Sequence, residues 1–461
     1  MRLSPSLAWL TGASMLAVLG AGSLPAQRAS ESFVAWSHRP FPAAEYAARR
    51  AALLAALASD GAAIVLVPSG AGVSGGDSFR QSDDFSYFTG LETPQSVLWL
   101  DVARGEEILF VPRRDPRWES ASRPNDFPGR GLVDSPELRA FAGITRIEPI
   151  ESLRPALERL ARVHGAVRID LGGDRAAAPP SIPPLEGWTP ERELALALAS
   201  AHPDLAIRDL HPAVAALRMV KSPAEVAAIG RAVDAAAWAM RAVQPRARPG
   251  AAEWTLIGAY EAACRERGAQ RMPFTPIIKS GPNALWPWRV LASHYDRRAR
   301  IMAAGDIVIF DVGCEIDGYV SDIGRTFPVG GRYSAPQRRA VELVRTVSDA
   351  IIAAIRPGVS LGDLQRVANA VIPAGERRYM QTGSYFGHHI GLASGDPSRF
   401  DAPLAPGMVF TVEPWYYNHD TGVAAFIEDN VVVTADGVRL LSASLPRTAA
   451  DLERLAARGR R

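Results

Sequence analysis

The sequence predicts an α/β domain over residues 27–215 followed by an α+β domain over residues 216–461. Two patterns carry this: helical periodicity alternating with apolar strand runs in the first half, and helices and antiparallel strands in separate blocks in the second. A third observation concerns chemistry, because the segment "IVIFDVGCEIDGYVSDIGRTF" (307–327) reads as an apolar hairpin that nevertheless carries Asp311 and Asp322.

The elements follow in order. "AAEYAARRAALLAALASDG" has helical spacing that ends at Gly61, and "AAIVLVPSG" after it is a buried-strand run closed by Pro and Gly. "SVLWLDV" and "EEILFVP" are two further strands, and "AVRIDLGG" is another after the helix "LRPALERLARVHG". The Pro-rich stretch 176–190 is a surface loop within this domain. In the second half, Ser222 caps a helix opened by Pro223, with Glu225 in its first turn. A helix around "EWTLIGAYEAACRERG", the hairpin, a helix at "APQRRAVELVRTVSDAIIAAI" and strands at "GMVFTVEP" and "VAAFIEDNVVVT" complete it.

Composition narrows the class of protein. With 48% hydrophobic and 22% charged residues and 51 basic against 49 acidic side chains, the chain is globular, without a field that would favour nucleic acid or an anionic membrane. Arg2, an apolar run from about Leu7 to Leu19 and the small-residue exit at Leu24-Pro25-Ala26 form the pattern of a secretory signal peptide over 1–26. Its apolar run falls short of the ~20 residues of a spanning helix, so a soluble exported protein, periplasmic or secreted, is expected. Cys264 and Cys314 are the only cysteines, and the expectation is two unpaired buried thiols, with a bridge between them as the alternative.

The two aspartates share one face of the hairpin in either of two registers. A turn centred on Ile316 and Asp317 sets Asp311 opposite Asp322, whereas a two-residue Asp317-Gly318 turn shifts the partners by two. Opposed carboxylates lie about 5 Å apart at Cβ and repel, so a cation between them, a shared proton or an exposed edge is required. Further acids stand in similar settings: Glu413 at the end of "GMVFTVE", and Glu428 in "VAAFIEDNVVV" on one face with Ala424, Phe426, Asn430 and Val432. Neighbouring His388 and His389 point to opposite faces, so one of them enters a common site. Four carboxylates and one imidazole suit a pair of divalent cations, with manganese favoured by the oxygen-rich set and cobalt, zinc or iron able to substitute. Such a pair can hold a bridging hydroxide and do hydrolytic chemistry.

The order Asp311, Asp322, His388 in "GHHIGL", Glu413 in "TVEP" and Glu428 in "IED" resembles the dinuclear-metal, pita-bread peptidases of the aminopeptidase P and prolidase family. "RQSDDFSYFTGLETPQSVLWL" is similar to the creatinase-like N-terminal domain of aminopeptidase P, "LRMVKSPAEV" to the entry of the catalytic domain, and "LSASLPRTAADLERL" to its ending. The resemblance implies that Asp311, Asp322, His388, Glu413 and Glu428 ligate two metal ions and that Glu413 is also the catalytic base. It implies that His294 contacts substrate near the scissile bond, a loop position on the surface being the alternative, and that Tyr417 lies at the substrate. The implied activity is release of an N-terminal residue from a peptide with proline second, by attack of the bridging hydroxide, in a homo-oligomer. A prolidase-type dipeptidase is the alternative.

Three positions depart from the family pattern. Gly395 stands where a second histidine steadies the substrate carbonyl, Phe426 where an arginine supports the ligand carboxylates, and Ser384 where some members have a histidine. Loss of a transition-state stabiliser costs on the order of 100- to 1000-fold in rate, which puts cleavage in doubt and admits a metal-bound but silent binding protein. Trp286 and Trp288, in the extended segment "NALWPWRVLA", shape the substrate pocket in this reading, with ordinary packing as the alternative, and His419 lies between the two ligand glutamates.

Overall fold

A computed structural model describes residues 37–457 except 62, 71–78, 116–131, 136, 164, 173–188, 288–299 and 384. The leader 1–26, most of the Pro-rich stretch, Trp288, His294 and Ser384 lie outside the described residues.

The first half contains α1 (Ala43–Leu57), β1 (Ile64–Pro68), α2 (Asp83–Thr89), β2 (Val97–Asp101), β3 (Glu106–Val111) and α3 (Leu138–Ala142). After these come β4 (Arg146–Pro149), α4 (Leu153–Arg162), β5 (Ala166–Ile169), α5 (Pro190–Ala201), β6 (Ala206–Asp209) and α6 (His211–Met219). The strands form one sheet in the order β4-β3-β2-β1-β5-β6. β1 is buried at all five residues, as a two-sided apolar strand must be, and Gly61 ends the preceding helical turn at φ 76°.

The second half opens with α7 (Pro223–Val243), which Ser222 and Glu225 start with a reciprocal capping box worth about 1 kcal/mol. α8 (Glu253–Glu266), β7 (Ile277–Ser280), β8 (Ile307–Val312), β9 (Glu315–Ile316), β10 (Tyr319–Val320), β11 (Ile323–Pro328), α9 (Ala335–Ala354) and α10 (Leu361–Val371) follow. The chain closes with β12 (Val409–Val412), β13 (Trp415–Asn418), β14 (Val423–Val433), β15 (Val438–Leu440) and α11 (Ala449–Ala457). The sheet runs β12-β14-β11-β8-β7, with β13 and β15 paired to β14. The α/β and α+β halves are thus both present.

Of the two hairpin registers, the two-residue turn is the one found. Asp317 and Gly318 take φ 57° and 78°, the left-handed pair that a tight turn matching strand twist needs, and Ile316 pairs with Tyr319. Asp311 therefore faces Gly324.

The expectation of unpaired thiols is overturned, because Cys264 and Cys314 form a disulfide. The bridge ties α8 to the hairpin close beside Asp311; a separation of 50 residues gave no local sign of it.

Ionic contacts bind the two halves together. Arg218 of α6 meets Asp84 of α2 at 2.8 Å and Asp396 at 2.5 Å, and Lys221 reaches Asp396 at 3.0 Å. No helix among the described residues is long and apolar enough to cross a membrane.

Candidate metal centre

Three neighbouring strands build the floor of the site. Gly324 of β11 pairs with Asp311 of β8 on one side and with Glu428 of β14 on the other, so all three residues present the same face. Asp322 stands at the break between β10 and β11, where its backbone N–H donates to Asn430 Oδ1 at 3.1 Å and its carbonyl accepts from Asn430 Nδ2. Glu413 directly follows β12, and its Oε1 accepts from Thr411 Oγ1 at 3.1 Å.

His388 enters from the segment running beside β12. Its Nδ1 lies 3.2 Å from the His389 carbonyl, which can only accept, so Nδ1 carries the proton and Nε2 presents a lone pair. That lone pair faces Asp322 Oδ2 at 3.5 Å and Glu413 Oε1 at 3.4 Å. His389 turns the other way into the core, fully buried against Phe410.

Ligand atoms of Asp322, His388 and Glu428 lie within 4.8 Å of one another. Asp322 Oδ1 and Glu428 Oε2 are buried without a hydrogen-bond donor. Burial, and then mutual repulsion with neighbouring carboxylates, pushes the Asp322 and Glu428 carboxyls well above their usual range. Burial likewise pushes Glu413 up to about 7, while it lowers His388 and so keeps its imidazole neutral. A lone pair and several oxygens converging with no cation among the described residues is the donor set of a divalent-metal site. The proton on His388 Nδ1, anchored on a carbonyl, is the usual means of aiming a ligating imidazole.

The other expected positions fall as follows. Tyr417 of β13 is buried, and burial first and then the charges of Asp311, Glu413 and Glu428 raise its phenol well above its ordinary value, which places it at the carboxylates. Trp286 lines a cavity of about 820 Å³ whose wall also includes His388, Glu413, Tyr417 and His419. Gly395 opens onto free space where a side chain would extend. The ring of Phe426 lies where a Cβ on Gly324 would be, so an apolar ring covers the floor between Asp311 and Glu428. Sequence reasoning missed Thr411 and Asn430 as supports; their signal was a spacing of two residues from Glu413 and Glu428 on the same strands.

Comparison with known proteins agrees with this architecture. A model of metallopeptidase family M24 matches residues 227–435, and one of the aminopeptidase P N-terminal domain matches residues 46–126. Xaa-Pro aminopeptidase 3 of Rattus norvegicus is 30% identical over 418 residues, covering 82% of this chain and 77% of the relative. The Xaa-Pro aminopeptidase of Escherichia coli is 28% identical over 413 residues, covering 82% of this chain and 89% of the relative. The solved structure of an aminopeptidase P from Pseudomonas aeruginosa superposes with a TM-score of 0.73 at 26% identity, covering 92% of this chain and all of that one. The chain belongs to metallopeptidase family M24, as a hydrolase of the Xaa-Pro aminopeptidase type with a pita-bread catalytic domain. Membership in that family implies divalent metal ions.

Proposed function

We propose that this protein removes the N-terminal residue from peptides whose second residue is proline, with Asp311, Asp322, His388, Glu413 and Glu428 holding two divalent cations, manganese first among them. The observation that carries the reading is the convergence of the His388 lone pair on Asp322 and Glu413, beside donorless oxygens of Asp322 and Glu428. Divalent cations bound there supply a lowered pKa for the attacking water and polarisation of the scissile carbonyl.

The chain's own groups do the rest. Glu413, steadied by Thr411, takes a proton from the attacking water as the water oxygen bonds to the carbonyl carbon. The same carboxyl then gives the proton to the proline nitrogen as the C–N bond breaks. Asn430 holds the Asp322 backbone at both its N–H and its carbonyl, which fixes the carboxylate relative to Glu428 two residues away. Tyr417 borders the substrate, Trp286 and Trp288 shape its pocket, and His294 contacts it near the bond that breaks. The leader 1–26 directs export, and the functional unit is a homo-oligomer.

A silent metal-binding protein is the second reading, favoured by the open space at Gly395 and the apolar Phe426 ring beside the carboxylates. Manganese-loaded protein assayed on Xaa-Pro dipeptides and on longer Xaa-Pro peptides separates the readings. Release of the first residue from longer peptides, abolished by chelation, is expected. Cleavage of dipeptides alone would mean a prolidase, and silence on both the binder.

A further inference from the structure

We infer that the ring pair Trp286–His419 forms the subsite for the residue after proline and selects peptides with an aromatic or large aliphatic third residue; this rests on the peptidase reading above.

Exposure rises from the carboxylate floor outward along the cavity wall. The Glu428 side chain is buried, Glu413 is 13% exposed, His388 37% and Trp286 46%. The bond to be cut therefore sits at the carboxylate floor, and Trp286 and His419 stand at the mouth. An aminopeptidase holds the first residue at the floor and lets the remainder of the peptide leave outward, so the mouth meets the residues that follow proline. The cavity, at about 820 Å³, lies in the upper part of the range of about 300–1,000 Å³ for small-ligand sites and has room for more than two residues.

The indole and imidazole stand 4.4 Å apart, tilted by 33°. On the same wall Trp415 stacks on Tyr417 at 4.9 Å. Aromatic rings thus line the wall from the carboxylates outward to Trp286 and His419, and water on the exposed part of the indole is readily displaced by an apolar side chain.

The turn that carries His419 is held in place by its neighbours. Asn418 Oδ1 accepts from the backbone N–H groups of Asp420 and Thr421, and Asn418 Nδ2 donates to the Tyr416 hydroxyl at 2.9 Å. Tyr416 in turn donates to Glu376, and Tyr379 donates to Asp420 at 2.5 Å. These bonds fasten the turn after β13 to residues 374–379. A ring presented on a braced turn loses little freedom when it binds.

The test compares Xaa-Pro-Phe with Xaa-Pro-Gly peptides on manganese-loaded wild type, Trp286→Ala, His419→Ala and Trp286→Phe. Wild type is expected to favour the Phe peptide. Each alanine variant should lose about 3- to 10-fold more in kcat/KM on that peptide than on the Gly peptide, and Trp286→Phe should keep most of the preference. An equal fall on both peptides, or no fall on either, overturns the subsite. A wild type that cleaves neither peptide overturns the peptidase reading instead, and the ring pair is then judged by Kd for the same two peptides. A Phe-to-Gly ratio of Kd that Trp286→Ala leaves unchanged overturns it in that case too.

Discussion

Glu428 and Asp429 are neighbours on β14, both almost fully buried, and their surroundings are opposite. Asp429 points to the far side of the sheet, where Arg325 reaches it at 2.6 Å and Arg447 at 2.9 Å, and those cations outweigh burial and lower its carboxyl. Glu428 points to the site, meets other carboxylates and is pushed up. Asp396 repeats the first solution: despite burial, Arg218 and Lys221 bring it down to about 2. At Asp429 and Asp396 this chain supplies the counter-charge itself. At the site no counter-charge comes from the described residues, and positive charge is what divalent ions would bring.

Substitution on each side should sharpen the contrast. Glu428→Gln is expected to abolish metal retention and lower kcat/KM by about 1000-fold or more, yet to raise the melting temperature of chelated protein by relieving repulsion. Metal analysis, kinetics and thermal melts read these three effects. Arg218→Ala removes a partner of both Asp84 and Asp396 and should cost roughly 3–5 kcal/mol in urea unfolding while leaving metal content unchanged. A destabilised Glu428→Gln apoprotein, or an Arg218→Ala protein that loses its metal, would erase the distinction.

A smaller effect is expected with pH. The Glu413 carboxyl is raised in the folded state, so between about pH 4.5 and 7 the metal-free fold binds more protons than the unfolded chain and loses stability as pH rises. Chelated protein should melt several degrees lower at pH 8 than at pH 5.5, and manganese should remove the difference. Asp396 has the reverse sign: its contribution is complete above about pH 4 and lost as pH falls toward 2. Metal-free melts that do not change between pH 5.5 and 8 would contradict the account.

The sequence made the long elements and the acidic positions legible for one reason, that charged residues inside apolar strand runs are costly and stand out. β8, β11, β12 and β14 were visible as such runs, and Ser222-Pro223 marked the start of α7. The sequence does not distinguish the registers, because both turns keep Asp311 and Asp322 on one face; the backbone of Asp317 and Gly318 selects between them. Short elements such as β7 and β13 carry too few residues for periodicity to show. The disulfide, the Asn430 clasp on Asp322 and the Arg218–Asp396 contact join residues 50, 108 and 178 positions apart, and no local pattern announces a partner so distant. The Trp286–His419 pairing was hidden for the same reason.

Anomalous diffraction from crystals grown with manganese tests the central claim most directly. Two peaks about 3.5–4 Å apart, enclosed by Asp311, Asp322, His388, Glu413 and Glu428, are predicted. A map without density there, or with the five groups turned away from one another, would contradict it.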